Sequence, residues 1–166
     1  MGRGRRPSRF SYIFKENARH LQRSQGRGER NKTVENIKRN GAFTVSIADK
    51  EHVVEADYFG VVSANDEKEK FKKSGLTATK AECVNAPQIL EFPVCLECEF
   101  IEYQAGENGA GVVGKVVNVT ADEGDLTNGT VDDSKLHAIT FDPYTHGYYE
   151  IGPRVGEAFK DGLKLK

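Results

Sequence analysis

Tryptophan is absent from the sequence, which excludes any site built on an indole. Cysteine is scarce: Cys83, Cys95 and Cys98 are the only three. So low and odd a number excludes a disulfide scaffold and, without a secretion signal, points to reduced thiols in a cytoplasm. No apolar run approaches the roughly 20 residues of a membrane-spanning helix. The Arg-rich beginning has no apolar stretch of the kind that marks a secretory signal. His20, His52, His137 and His146 are not at metal-ligand spacing from one another, and no nucleophile elbow or Ser-His-Asp order is visible. His146, in Asp142-Pro-Tyr-Thr-His-Gly147, reads as a loop histidine facing solvent, with approach to a ligand as the alternative.

What is present is an ordinary globular balance: 166 residues, 37% hydrophobic and 30% charged, enough for one compact core. The net charge of −1 conceals two unlike parts. Residues 1–30 hold eight Arg and one Lys against two Glu, a net of +7, and the remainder is therefore −8. A domain boundary is expected there, with a basic extension at 1–30 and a folded domain over 31–166. The extension shows neither helical nor strand periodicity. It reads as disordered, with a nucleic-acid-binding arm as the alternative. A nucleic-acid partner is not expected, because the acidic remainder repels a polyanion.

From residue 31 onward the pattern sharpens. Thr33 suits a helix N-cap, Val34 and Ile37 give an apolar face, and Asn40-Gly41 ends the helix. Phe43, Val45 and Ile47 alternate with Thr44, Ser46 and Ala48, as in a half-buried strand. Asp49 is placed to cap a second helix with Val53, Ala56 and Phe59 inward, stopped by Gly60. Ser63 to Asp66 leads to a polar helix anchored by Phe71 and closed by Gly75. The second half predicts strands at Val94 to Phe100, Val112 to Val119 and Leu136 to Phe141, a loop from Asp122 to Asn128, and a C-terminal helix carrying Val155, Ala158 and Phe159. Strands without regular helix alternation favour an antiparallel barrel with helical insertions over a doubly wound sheet.

Three motifs invite chemistry. Cys95-Leu-Glu-Cys98 has redox or zinc spacing, but in an alternating strand its thiols point to opposite faces and no second pair completes a site. Gly109-Ala-Gly111-Val-Val-Gly114 matches a dinucleotide fingerprint, yet the next residues, Lys115-Val-Val-Asn-Val, are strand-like rather than helical, so a turn between strands is expected. Glu97 and Glu99 share a strand face, either as a carboxylate pair or as exposed barrel surface.

Several segments in fixed order resemble the flavoredoxin or flavin-reductase-like branch of the FMN-binding split barrels. They are Lys32-Thr-Val-Glu-Asn-Ile37 with Gly41-Ala-Phe-Thr-Val-Ser-Ile47, Glu55-Ala-Asp-Tyr-Phe-Gly-Val-Val-Ser63, Glu69-Lys-Phe71 and Ser74-Gly-Leu76. Ala86-Pro87, Phe92-Pro-Val-Cys-Leu-Glu-Cys98, Val113-Gly-Lys-Val116, Tyr148-Tyr-Glu-Ile-Gly152 and Val155-Gly-Glu-Ala-Phe159 complete the series.

The resemblance implies a mostly β, α+β split barrel that forms homodimers, binds FMN near the subunit interface, and takes electrons from a nicotinamide donor or a partner redox protein. It places Arg30, Lys32 and Thr33 at the flavin phosphate, with a plain helix cap as the alternative for Thr33. Ser63 and Asn65 fall in a loop near the flavin, and Phe159 near its ring or in plain core packing. No catalytic residue and no metal site is implied. The family's opening strands, with an Asn-x-x-Thr-x-Ala-Trp-like segment, have no counterpart in residues 1–27. The barrel is therefore expected to lack its first strands, with residues 1–30 out of frame or from a misplaced start. Two functions are expected in the alternative: flavin-mediated electron transfer, or a non-catalytic remnant that binds no flavin.

Overall fold

The structure, a computed structural model, describes residues 5–8, 13–17, 32–106 and 109–166. Its centre is a long antiparallel hairpin of β6 (Val94–Gly106) and β7 (Gly109–Asp122). β3 (Ala42–Ile47) pairs antiparallel to β6, with Phe43 opposite Cys98 and Val45 opposite Leu96. The other edge of β7 takes two short strands, β1 (Arg5–Ser8) and β2 (Ile13–Asn17). No strand periodicity marks these two segments in the sequence. They are strands because the unpaired edge of β7 supplies the hydrogen-bonding partners.

One face of the sheet is apolar. Phe43, Cys98 and Val116 pack with Ile37 of α1 (Lys32–Asn40), flanked by Val45, Leu96, Phe100, Val112 and Val119. Farther along the same sheet, Val94 and Ala121 pack with Leu136 and Ala138. Gly114 belongs to this face by necessity: a Cβ there would lie 2.6 Å from Phe43 Cε1, inside the ring's van der Waals envelope. The glycines after the hairpin turn thus lie within β7 itself, and the dinucleotide fingerprint has no helix to serve.

The opposite face is buried and polar. Cross-strand register aligns Glu97 with Asn118 and Cys95 with Thr120. A segment running from Ala81 through β5 (Pro87–Ile89) covers them, its Ala81, Val84 and Ala86 packing on Ala42 and half-buried Val117. β5 pairs with β4 (Ala78–Lys80), and Thr44 Oγ1 ties it to β3 by donating to Pro87 O at 2.5 Å. Glu97 is fully buried, so the exposed-surface reading of Glu97 and Glu99 holds only for Glu99. Alternation fixes which side a residue faces but not what covers that side. Cys95 and Cys98 lie on opposite faces as expected, and the three cysteines form no disulfide.

Local signals set the remaining elements. Helix α1 starts at Lys32, so Thr33 sits inside its first turn rather than capping it. It ends at Gly41, whose φ of +66° favours a residue without Cβ. Asp49 caps a 3₁₀ turn (Lys50–His52) that leads into α2 (Val53–Val61), accepting from the backbone N–H groups of Glu51 and His52. Gly60 lies within α2 and does not stop it. α3 (Lys70–Ser74) ends at Gly75, φ +74°, and its Phe71 stacks on Phe59 at 6.0 Å.

Beyond β7 a 3₁₀ turn (Glu123–Asp125) leads to a small ribbon of β8 (Leu126–Thr127) and β9 (Thr130–Val131). Leu136 belongs to α4 (Asp133–Leu136) rather than to a strand, because Asp132 accepts from Ser134 N and nucleates a turn. β10 (Ile139–Asp142) and β11 (Gly147–Glu150) then form a hairpin. The C-terminal helix is also corrected: residues 151–160 are non-helical, and only a 3₁₀ turn (Asp161–Leu165) comes after them. Gly152, Pro153 and Gly156 break the run, and no neighbouring face of the chain rewards helix formation there.

Candidate flavin site

Helix α1 brings the first predicted residues together. Lys32 and Thr33 occupy its first turn, both solvent-accessible, and Lys32 Nζ reaches Glu35 at 3.2 Å. A nine-residue helix presents backbone N–H groups and the positive end of its dipole at this terminus. A hydroxyl and an ammonium beside such a terminus suit a phosphate, so the donor set fits that end of a flavin mononucleotide. Arg30 lies outside the described residues.

Ser63 and Asn65 are joined in the turn after α2, where Asn65 N donates to Ser63 Oγ at 3.2 Å. The turn is fastened to α3 below it. Glu67 pairs with Lys73, which lowers the Glu67 carboxyl from its ordinary value. Lys70 Nζ donates to Phe59 O at 2.8 Å, and burial lowers its pKa. Phe159 is apart from all of these. It is 97% exposed, so it is not packed in the core.

The fold also assembles groups that linear spacing does not reveal. Glu150 at the end of β11 pairs with His137 Nδ1 at 2.5 Å and with Lys50 Nζ at 3.3 Å. His137 holds φ +50° after α4, and Lys50 N donates to its carbonyl. The hydrogen bonds from His137, then Lys50, hold the Glu150 carboxyl below its ordinary value. Nearby, Asp49 pairs with His52 Nδ1 at 2.7 Å, and His52 meets Phe92 edge-on. No sequence signal joins positions 50, 137 and 150. His146, as expected of a loop residue, is exposed and stacks on Phe141.

The buried carboxylate of Glu97 is the strongest polar feature that the sequence left undecided. Its Oε1 accepts from Glu82 N at 3.2 Å and Asn118 Nδ2 at 3.1 Å, and its Oε2 from Cys83 N at 2.6 Å. These bonds gather the 82–83 backbone onto the sheet, making Glu97 a clasp rather than a reactive acid. An open cleft of about 610 Å³ lies elsewhere, lined by Asp122, Glu123, Asp125, Lys135 and His137 among others. A second, of about 370 Å³, is lined by Asn40, Thr79, Lys80 and Asn85 among others. Neither contains a predicted flavin residue. Both are open to solvent, unlike the enclosed pockets that bury ligands.

Among the described residues no group of His, Cys, Asp and Glu is arranged to hold a metal ion, and no helix is long and apolar enough to cross a membrane.

Comparison with known proteins places these features. The family model described as flavin reductase like domain matches residues 24–142. Flavoredoxin of Desulfovibrio vulgaris (Miyazaki F) is 34% identical with a TM-score of 0.74, over 80% of this chain and 70% of its own. Flavoredoxin from Methanosarcina acetivorans is 23% identical with a TM-score of 0.74, over 96% of this chain and 81% of its own. An FMN-binding domain of a flavin reductases-like enzyme from Shewanella baltica is 17% identical with a TM-score of 0.67, covering 76% of this chain and 69% of its own. No curated protein matches. The fold is the split barrel of these neighbours, and among the described residues the short β1 and β2, of four and five residues, pair with the outer edge of β7. On the family match and the 34% identity, the chain belongs to the flavin reductase-like family.

Proposed function

We propose that this flavin-related redox protein binds FMN and passes electrons through it, in the manner of a flavoredoxin. The observation that carries the reading is the family match across residues 24–142, which takes in the α1 terminus where Lys32 and Thr33 stand. When bound, FMN supplies the redox chemistry by accepting hydride at its N5. The chain's own contribution is binding and orientation. Lys32, Thr33 and the α1 terminus hold the phosphate, Arg30 adds a cation, and the Ser63–Asn65 turn borders the flavin. The electron source is a nicotinamide donor or a partner redox protein, and the working form is a cytoplasmic homodimer.

The lack in residues 1–27 of a counterpart to the family's Asn-x-x-Thr-x-Ala-Trp-like segment favours a second reading, a family remnant that no longer retains flavin. Visible absorbance separates the two. The purified protein is mixed with FMN, passed through a gel-filtration column, and read at the flavin bands. Flavin absorbance co-eluting with the protein, weakened at least tenfold in affinity by a Lys32→Ala, Thr33→Ala double substitution, supports the first reading. A folded but colourless protein establishes the second.

A further inference from the structure

Helices α1 and α2 are equally long and differently buried. Both run nine residues, but α1 buries Val34 and Ile37 whereas α2 buries none. Yet six of the nine residues of α2 are apolar or aromatic. Val54, Tyr58 and Val61 fall at i, i+4 and i+7 and so share one face, on which Val54 is 73% exposed and Val61 71%. Phe59 is taken up by Phe71 of α3, but the Val54–Val61 stripe is left uncovered. A helix of this length is marginal by itself and owes its stability to the apolar face it buries. An apolar stripe turned to solvent on such a helix marks an interaction site.

The stripe is rimmed by acid. Asp57 lies three residues after Val54 and four before Val61, so it stands beside both, and Glu51 and Glu55 flank the start of the helix. Among the described residues these three carboxylates form no ion pair, although Asp57 accepts a hydrogen bond from the Tyr148 hydroxyl. The lysines of α3 are engaged elsewhere: Lys72 with Glu69, Lys73 with Glu67, and Lys70 with the carbonyl of Phe59.

Charge decides what such a face receives. An anionic lipid surface is repelled by it. A second copy would bring up residues 31–150, which hold 11 basic and 21 acidic residues, a net of −10. A basic protein is attracted instead. Two residues beyond Val61 the chain enters the Ser63–Asn65 turn, which borders the flavin in the function proposed above. An apolar centre within a charged rim is the anatomy of a transient interface, and electron-transfer encounters are of the small, electrostatically steered kind.

We propose that the Val54–Tyr58–Val61 face of α2, with Glu51, Glu55 and Asp57 around it, docks a basic electron-transfer protein. This rests on the function proposed above and deepens it by naming the class of partner and the surface that receives it. Each encounter passes one electron. Two ferric acceptors in turn take the two electrons of one reduced flavin, become ferrous, and leave oxidised flavin and one proton released to solvent.

The probe is cytochrome c, a basic one-electron haem protein, beside the same protein with its lysines acetylated. Surface plasmon resonance on the full chain, with and without FMN, measures association and dissociation over a salt series. Glu51→Gln with Glu55→Gln should slow association about tenfold at low salt, and Val54→Ala with Val61→Ala should speed dissociation about fivefold. Gln and Ala both suit a helix, and circular dichroism should stay unchanged. Glu99→Gln with Glu102→Gln makes the same charge change near the start of β3, whereas α2 follows its end, and should alter neither rate by more than about twofold. Reduction of the haem by photoreduced, FMN-loaded protein, followed by stopped flow, should slow in the two α2 variants alone.

No binding, equal binding of the acetylated probe, or an equal response to the β6 variant overturns the proposal. So does slower amide exchange at residues 54–61 when the chain alone is concentrated, since the face then belongs to a second copy. Salt-sensitive docking that the α2 variants weaken, on a chain that retains no FMN, upholds the surface and overturns the flavin reading.

Discussion

The two faces of the β3–β6–β7 sheet are buried by different means. On one, Phe43, Cys98 and Val116 meet α1 with no polar side chain among them. On the other, Glu97, Asn118 and Thr120 are each at most 2% exposed, and the covering segment is fastened by hydrogen bonds to them. Apolar contact is non-directional and tolerates repacking, whereas a buried carboxylate requires each of its donors in place. The first face should therefore lose stability in proportion to volume removed, and the second in proportion to hydrogen bonds removed.

The largest effect is expected on the apolar face. Phe43→Ala should cost about 3–5 kcal/mol, because it removes a buried ring and leaves a cavity against Gly114. Urea unfolding measures it, and a loss below about 1 kcal/mol would mean that the ring is not packed as described. Next is Glu97→Ala, which leaves the Glu82 and Cys83 N–H groups and the Asn118 amide without this acceptor, for about 3 kcal/mol. Amide exchange should speed up at residues 82 and 83 in that variant and stay unchanged in Phe43→Ala at matched stability. If both variants loosen that backbone equally, the two faces are not distinct. Thr120→Val should cost under about 1 kcal/mol, since its 3.4 Å hydrogen bond to Gln88 is long and the volume is kept.

The smallest effect is on the acid side. Burial raises the Glu91 carboxyl, but hydrogen bonds from Thr77 outweigh it and hold the group below its ordinary value of 4.5. A lowered folded pKa means that Glu91 contributes stability fully present above pH 4.5 and lost as pH falls through the folded value. Glu91→Gln should flatten the stability profile between pH 5 and pH 3. An unchanged slope there would assign the acid sensitivity to other carboxylates.

The apolar face was readable in the sequence because alternation is a local property. Phe43, Val45 and Ile47, and Val94 through Phe100, announced their sides, and Gly41 and Gly75 announced where helices end. The polar face was not readable, because whether Glu97 is exposed depends on a segment 14 and 15 residues away folding over it. The same limit applies to Lys50, His137 and Glu150, which only the β10–β11 hairpin brings together. Leu136 and the C-terminal residues were read as regular elements from their apolar content, when capping by Asp132 and the lack of an internal partner decided otherwise. For the flavin site, Lys32 and Thr33 are adjacent in sequence and in space. Ser63, Asn65 and Phe159 were placed through the resemblance alone, and Phe159 stands far out in solvent.

The Glu97 clasp also governs how the hairpin avoids mispairing. If β6 slid by one residue against β7, every side chain of β6 would change sides. Glu97 would then turn toward Phe43 and Val116, where no donor waits, while Cys98 and Phe100 would face the 82–83 backbone. An uncompensated carboxylate in that apolar layer costs far more than the few contacts a slipped ladder could keep. A hairpin this long, with β-branched residues along β7, would otherwise be prone to shifted pairings and to the aggregates they seed. The buried charge makes the wrong alignments expensive while its three donors stabilise the right one.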